Sequence, residues 1–435
     1  MRSLGATAGP GGLASLELAI RTAMLRLGGG LLERLLALDP GHRGPRLDCG
    51  RGHEARFVGY RGKGIDTVLG PVRLRRAWYH CAGCAHGRAP LDAELGTGDG
   101  SLSPGLRAMV ARVGARSSFA GGRLDLATLA GVELTTKRVE RSAEADGERL
   151  RAAIEAGADA VLEGRLVPLG GGEPVETLYV AIDGTGVPTV PRETAGRRGR
   201  GADGRARTRE AKLGCLFTQT GLDERGRPVR DPGSSSYVAT LGPAERFGPL
   251  VYAEALRRGV ERARRVIVIG DGAPWIWNLA AEHLPGAVET VDLYHARQHL
   301  HDLGALVAPA LGAEGPAWLA ERLAELDRGD IEALLAATRG LGLDAGTAVE
   351  VEKALGYFET DRERMRYARF RGLGLFVGSG AVEAGCRAVV AQRLKLSGMR
   401  WTVRGAAAIL SLRCEDASGR WDAVWPWWNN QTTAA

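Results

Sequence analysis

The sequence predicts an α/β protein in which a larger α/β region follows a helical segment and a small cysteine-containing ribbon. Two apolar runs rich in β-branched residues, Thr177 to Ile182 and Val266 to Ile269, each lead into an Asp-Gly pair. Long stretches on either side carry apolar residues at helical spacing. Three of the six cysteines cluster between residues 49 and 84.

The length and composition are those of a globular chain with a large core. The chain has 435 residues, 44% of them hydrophobic, which allows two to four domains. It has no apolar run of about 18 residues that could span a bilayer, and its first residues lack the apolar stretch of a signal peptide. We therefore expect a cytoplasmic protein without a membrane anchor.

The formal net charge of +7 suits a polyanionic partner such as a nucleic acid. Each Lys or Arg that neutralises a phosphate releases a counterion. Arg supplies nearly all of the basic residues, and Gly and Ala are abundant, a bias that a GC-rich genome produces without selection for DNA binding. The net charge alone therefore does not distinguish nucleic-acid binding from a bias in genome composition.

The first part of the chain is predicted to be helical and then β-rich. Residues 13–38 have helical spacing, which we expect to be broken or ended at Gly28 to Gly30. Short β-like runs follow, notably Val68 to Leu74 and Ala77 to Tyr79.

The clustered cysteines indicate a structural zinc site. Cys81 and Cys84 have the spacing of a zinc knuckle, and Cys49 with His53 would complete a tetrahedral set, with His86 as the competing ligand. Such a ribbon would present basic side chains to DNA; the alternative is a ribbon that only packs against the core. These side chains are Lys63, Arg73, Arg75 and Arg76.

Residues 104–150 return to helical spacing and allow a helix-turn-helix. A helix through Phe119 and Leu124 to Leu129 would end at Gly131, and a second would begin near the basic pair Lys137 and Arg138. Such a pair of helices can enter a major groove. Two packed surface helices are the alternative.

The two apolar runs have the character of central strands covered on both faces, and each ends in an acid. We predict that Asp183 and Asp271 lie at the carboxyl ends of these strands, where ligand sites of α/β sheets gather. Gly184 and Gly272 would then turn the chain sharply. The alternative is that both acids only form turns. A third, less apolar run from Ala287 ends at Asp292, before helices that dominate residues 296–366.

Glu383 is the third candidate carboxylate. We expect Ser379 to cap a helix running to about Leu396, with Glu383 in its first turns. A capping-box Glu would stand at position 382, so that structural role fits poorly. An ion pair with Arg387 is the alternative. A further segment, Arg192 to Glu210, is dense in Arg and Gly and is expected to be a mobile basic loop.

These motifs resemble those of the ISKra-type insertion-sequence transposases over nearly the whole chain. The matching segments are AIDGTGVP from Ala181, TREAKLG from Thr208, GDGAPWIW from Gly270, DLYHAR from Asp292 and GSGAVEAGCRAVVAQRLKLSGMRW from Gly378. The pair Asp292-x-x-His295 is similar to a signature of Mutator-like transposases. The departure is Cys49-x3-His53, which replaces a tighter upstream pair of metal ligands.

The resemblance implies a ribonuclease-H-like catalytic domain with a helical insertion. Asp183, Asp271 and Glu383 would be catalytic and would hold two Mg²⁺ or Mn²⁺ ions. His295 would position DNA or the scissile phosphate; a buried His bonded to the sheet end is the alternative. The implied activity is cleavage and transfer of DNA strands.

The implied partners are double-stranded transposon ends and target DNA, bound by a homodimer or larger oligomer at the nucleoid. Basic residues near the site are expected to hold the phosphate backbone: Arg297, Arg387, Arg393 and Lys395. Trp401 and the Trp-rich end from Trp421 to Trp428 would stack on unpaired bases or pack on the core. A nuclease or resolvase that cuts without joining, and a non-catalytic DNA-binding regulator, are the alternative functions.

The expected organisation has seven segments. They are a helical segment 1–45, a zinc-ribbon-like domain 46–95, a helical DNA-binding domain 96–165, a first part of the catalytic core 175–300, a helical insertion 301–372, C-terminal core helices 373–415 and a Trp-rich tail 416–435.

Overall fold

The computed structural model describes residues 12–98, 100–166, 174–199, 204–378 and 380–425. The chain divides into two compact units, one formed by Met1–Gly147 with Arg420–Ala435 and the other by Glu148–Gly419. Three features of the sequence lie outside the described residues: the first residues considered for a signal peptide, Ser379, and Trp427 with Trp428 of the Trp-rich end. The seven predicted segments divide the chain into smaller parts than these two units do.

The first unit contains a long helix and a four-stranded antiparallel sheet. The sheet order follows the chain, and its central pair is a long hairpin. Ile65, Val72 and Leu74 of this hairpin pack against Leu32 and Leu36 of the helix. The elements are α1 (Gly12–Ala37), β1 (Arg46–Asp48), β2 (Glu54–Thr67), β3 (Gly70–Cys81), β4 (His86–Arg88) and α2 (Pro90–Glu94).

The expected break at Gly28 to Gly30 is wrong, because α1 continues through these glycines. A Cβ on Gly29 would lie 3.2 Å from the carbonyl oxygen of Leu69, at the tip of the hairpin. The glycines therefore let the turn between β2 and β3 approach the helix closely. Val68 and Leu69 form that turn, so the predicted strand starting at Val68 begins at Gly70 instead.

Three further helices of the first unit include a helix, a turn and a second helix. They are α3 (Pro104–Arg116), α4 (Phe119–Asp125) and α5 (Thr136–Leu162), the last of which continues into the second unit. A π-helical turn, Leu126–Ala130, extends α4 to Gly131. Gly131 has a φ of 68°, a left-handed conformation that ends a helix readily. The order of a helix, a glycine turn and a second helix matches the sequence pattern, which both the helix-turn-helix and the two packed surface helices share.

The second unit is organised around a five-stranded mixed sheet with the order β11-β10-β5-β6-β9. The three strands β5, β6 and β9 pair antiparallel, whereas β10 is parallel to both β5 and β11. The large-sheet strands are β5 (Val175–Pro188), β6 (Thr208–Gln219), β9 (Ser236–Thr240), β10 (Ala263–Gly270) and β11 (Val288–Val291), and β7 (Gly221–Leu222) with β8 (Pro228–Val229) forms a separate small ribbon.

The apolar runs form the centre of this sheet, as predicted. Residues 177–182 of β5 are all buried, and so are residues 267–270 of β10. Helices cover the sheet, which explains why these runs do not alternate between apolar and polar residues. The helices around the sheet are α6 (Pro191–Thr194), α7 (Ala244–Arg257), α8 (Pro274–His283), α14 (Gly380–Gly385), α15 (Gln392–Leu394) and α16 (Val403–Ala417), with a π-helical segment, Cys386–Ala391, between α14 and α15.

Helices fill the interval between β11 and α14. The predicted boundary between residues 300 and 301 falls inside the first of them, because α9 runs unbroken from Leu293 to Leu311. The helices are α9 (Leu293–Leu311), α10 (Gly315–Arg328), α11 (Ile331–Arg339), α12 (Ala345–Thr360) and α13 (Tyr367–Gly372). Nowhere in the described ranges does a helix combine the length and apolar character needed to cross a bilayer.

The expectation of a long loop from Arg192 to Glu210 is wrong at both ends. Residues 191–194 form the short helix α6, and β6 begins at Thr208. In between, the amide of Gly199 donates to the carbonyl of Gly204, and the amide of Ala206 donates to that of Arg197. These backbone bonds make the flanks of this segment an ordered hairpin.

Candidate metal and nucleic-acid site

Asp183 lies within β5, five residues before the strand ends. β5 pairs with β10 only as far as Ala181, whereas it pairs with β6 as far as Pro188. The prediction that Gly184 turns the chain is therefore wrong. Instead, a Cβ on Gly184 would lie 2.6 Å from the carboxylate of Glu210 across the hairpin. Asp183 thus stands where β10 ends and one side of β5 becomes open.

Burial raises the pKa of Asp183 above its usual value, and the nearby charge of Asp271 adds to the rise. A hydrogen bond with the thiol of Cys386 and the proximity of His295 act in the opposite direction. Asp183, Asp271 and His295 are therefore electrostatic neighbours, although Asp183 and His295 are over a hundred positions apart in the sequence.

Asp271 follows β10 directly, as predicted. Its Oδ1 accepts a hydrogen bond from the amide of Ala273 at 2.9 Å, and its carbonyl accepts one from the Tyr357 hydroxyl at 3.0 Å. Gly272 has a φ of 98°, and a Cβ there would lie 2.5 Å from the Tyr357 ring. Only glycine fits between this turn and the ring that covers it.

Asp292 occupies the equivalent place after β11 and is fully buried. Its Oδ1 caps α9 by accepting hydrogen bonds from the amides of Tyr294 at 2.7 Å and His295 at 3.0 Å. The cap places His295 in the first turn of the helix, on the same sheet edge as Asp183 and Asp271.

Glu383 reaches this edge from α14. The amide of Leu293 donates to the carbonyl of Val377 at 2.9 Å, which holds the segment before α14 next to Asp292. A Cβ on Gly385 would lie 2.7 Å from the Tyr237 ring, so the helix packs closely on the sheet at this glycine. One ligand atom each of Asp292, His295 and Glu383 lies within 4.8 Å of the others.

The structure thus brings four acids and one imidazole to one edge of the sheet, in two overlapping groups. Asp183 and Asp271 interact with each other, whereas Glu383 groups with Asp292. His295 belongs to the second group and also interacts electrostatically with Asp183 of the first. Asp292 was not among the predicted ligands, although its run ends in an acid as the other two do.

The basic residues predicted near this edge differ in their placement. Arg387 and Lys395 are exposed, and the Lys395 ammonium donates to the Thr185 hydroxyl at 2.5 Å. Arg297 pairs with Asp327 at 2.5 Å and lines a cavity of about 860 Å³ together with Tyr294.

Arg393 is misassigned as a nucleic-acid contact, whereas Trp401 packs on the core, which is one of its two predicted alternatives. The Arg393 side chain is fully buried, with its guanidinium 4.8 Å from the Trp401 ring centroid. Trp401 is 4% exposed, and its indole donates to the carbonyl of Leu394. The two side chains stabilise the end of the segment Gly398 to Trp401, called the GMRW segment below, instead.

In the first unit, Lys63 and Arg76 do not face solvent as expected. Both are about nine-tenths buried and converge on the Asp92 carboxylate, at 3.4 Å and 2.8 Å. Because both cations are buried and pair with the same carboxylate, this cluster has a structural role. Arg73 and Arg75 are exposed on the other face of β3, where Arg75 covers the Tyr60 ring at 4.0 Å.

The basic pair at the start of α5 is also partly engaged. Arg138 pairs with Asp66 at 2.5 Å and bonds to Ser101, while the exposed Lys137 pairs with Glu140 at 2.7 Å. In the same unit, the Arg112 guanidinium lies 5.1 Å from the Trp421 ring centroid, so Trp421 packs on protein.

The cysteines of the ribbon form a second cluster. One ligand atom each of Cys49, His53, Cys81 and Cys84 lies within 4.8 Å of the others, so the histidine of the cluster is His53 rather than His86. Cys49 and Cys84 sulfurs are 3.7 Å apart, and all six cysteines of the chain are free thiols. These residues can hold a metal ion.

The thiols interact strongly with one another. A hydrogen bond from Cys84 lowers the pKa of Cys81, and the same hydrogen bond together with burial raises the pKa of Cys84 to about 11. Cys81 therefore ionises more readily than Cys84.

No protein-family model matches this chain, and no curated protein matches it either.

Proposed function

We propose that the protein is a DNA transposase whose catalytic site is the acidic sheet edge formed by Asp183, Asp271, Asp292, His295 and Glu383. The observation that carries the proposal is the convergence of acids from the middle of β5, from the ends of β10 and β11, and from a separate helix. Chemistry on phosphodiesters needs carboxylates from separate elements that meet at one point.

The strand order supports a ribonuclease-H-like core. Numbered within the large sheet, the order is 3-2-1-4-5, with an antiparallel meander followed by two parallel strands. This is the arrangement expected of the fold that the motifs imply. Helices α9 to α13 would be its insertion, since they separate the last strand from the helix that carries Glu383.

The donor set fits hard divalent cations such as Mg²⁺ or Mn²⁺, because it consists mainly of carboxylate oxygens. Asp183, Asp271 and Glu383 would hold the ions, and Asp292 would contribute one carboxylate oxygen. When bound, two such ions polarise the phosphate and make water and the 3′-hydroxyl better nucleophiles.

The protein's own groups would position the substrate and stabilise its charge. His295 lies between the two acidic groups, where an imidazole N–H can donate to a phosphate oxygen. Lys395 and Arg387 lie on the exposed side of the helix after Glu383, where they would contact the flanking backbone.

The proposal is tested with the purified protein and a supercoiled plasmid that carries its coding region with flanking DNA. We expect strand cleavage that needs Mg²⁺ or Mn²⁺ and, on pre-cleaved ends, joining to target DNA. Cleavage without joining would favour the alternative function of a nuclease. If the protein neither cleaves nor joins DNA but still binds it, the alternative of a non-catalytic regulator would be favoured.

We further propose that Cys49, His53, Cys81 and Cys84 bind one structural Zn²⁺ ion. Tetrahedral sites of three thiolates and one imidazole suit zinc, and such sites contribute directly to folding. We expect one zinc per chain by native mass spectrometry, lost in Cys84→Ser and retained in the matched variant Cys414→Ser. Equal zinc content in both variants would contradict the assignment.

A further inference from the structure

A basic cavity lies at the far end of the hairpin that carries Asp183. Its volume is about 760 Å³. The floor is formed where β5 ends against the GMRW segment: the amide of Trp401 donates to Pro188, and that of Val190 donates to Trp401. The flanks of the hairpin between α6 and β6, residues 195–197 and 205–207, form the opposite wall. The charged lining residues are Arg197, Arg205, Arg207 and Arg400.

The lining has the composition of an anion site. Four guanidinium groups border the cavity, and no acidic side chain is among the described residues that line it. Arg197 and Arg400 come from segments about two hundred positions apart, so the fold brings these charges together. Guanidinium groups bind phosphate oxygens in a bidentate manner, which adds geometric specificity to charge attraction.

Thr189 provides a second, independent sign of a ligand. It lines the cavity and is 3% exposed, yet its hydroxyl oxygen has no hydrogen-bond partner within the part of the chain that the structure describes. A buried hydroxyl without a partner costs free energy, so such groups are rare unless a ligand satisfies them. A phosphate oxygen in the cavity would accept this hydrogen bond.

We propose that this cavity binds a backbone phosphate of the DNA strand that passes through the catalytic edge. The inference rests on the proposed function. Thr189 stands six residues beyond Asp183, directly after β5 ends at Pro188, which is about 20 Å along the extended chain. Thr185, with Lys395 bonded to it, lies between them.

The test compares arginines inside and just outside the cavity. Arg197→Ala and Arg400→Ala each remove a lining charge, whereas the control Arg198→Ala removes an exposed charge from the next position of the same hairpin. Binding of a short duplex is followed by fluorescence anisotropy between about 50 and 200 mM salt. We expect each lining variant to reduce the salt slope by about 0.9, with the control unchanged.

Thr189→Val tests the hydroxyl without a change in charge or shape. We expect the variant to bind the duplex about tenfold more weakly, because a hydrogen bond to a charged group is lost. Its melting temperature should not fall, because the unliganded protein loses no hydrogen bond. A lowered melting temperature with unchanged binding would make the residue purely structural and overturn the assignment.

Other outcomes also decide the question. Equal slopes for the lining and control variants would show a diffuse basic surface and overturn the cavity proposal. If inorganic phosphate stabilises the wild type but not Arg197→Ala, while the duplex slopes are equal, the cavity binds a free phosphate compound instead. Cleavage measured in parallel separates the two proposals, because the salt slopes do not depend on catalysis.

Discussion

Replacement of Asp271 with Asn is expected to lower metal-dependent DNA cleavage by about 10³-fold or more. Ion binding at such a site stabilises the transition state by several kcal/mol, and each 1.36 kcal/mol is a factor of ten in rate. Asn keeps the Oδ1 that accepts from Ala273, so the turn after β10 should be retained. The change therefore removes charge with little effect on structure.

The measurement is the single-turnover rate of cleavage, with duplex binding and melting temperature recorded on the same preparation. Both should match the wild type, since no bond that holds the turn is lost. A variant that cuts at the wild-type rate would remove Asp271 from the site. Loss of cleavage together with unfolding would be uninformative about charge, which is why the isosteric amide is used rather than Ala.

Replacement of Asp292 with Asn is expected to lower cleavage by about 10²-fold, although Asp292 is not part of the predicted triad. Its carboxylate lies within 4.8 Å of ligand atoms of His295 and Glu383. Asn is as good an N-cap as Asp, so the bonds to Tyr294 and His295 should survive. The rate loss would then report the missing charge rather than a displaced helix.

The matched control for this variant is Asp344→Asn. Asp344 also caps a helix, α12, with its Oδ1 accepting from Gly346 and Thr347, but it is exposed and belongs to no metal-competent group among the residues that the structure describes. We expect the control to cleave normally and to melt like the wild type. If both variants cleave normally, Asp292 serves only as a cap.

The secondary structure around the acids could be predicted because local pattern and tertiary role agree there. The runs before Asp183 and Asp271 are apolar on both faces, and they form strands covered by helices. The place of Asp183 within β5 could not be predicted. The strand continues past the acid because β6 supplies hydrogen-bond partners to Pro188, and that pairing is not visible in the local sequence.

The position of Asp292 has a signal in the sequence, because three apolar runs are each followed by an acid and Asp292 is the third of these acids. The burial of Arg393 was not predictable from charge, because it depends on Trp401, which covers its guanidinium. Likewise, Lys63 and Arg76 are held by Asp92, which lies in another element.

The claim that the acids form one metal site is tested most directly by iron-mediated cleavage of the protein itself. Fe²⁺ in place of Mg²⁺, with ascorbate and peroxide, generates radicals that cut the polypeptide near the bound ion. We predict cuts near residues 183, 271, 292 and 383 together, suppressed by excess Mn²⁺ and lost in Asp271→Asn. Cuts confined to one of these segments, or unchanged by Asp271→Asn, would contradict a shared site.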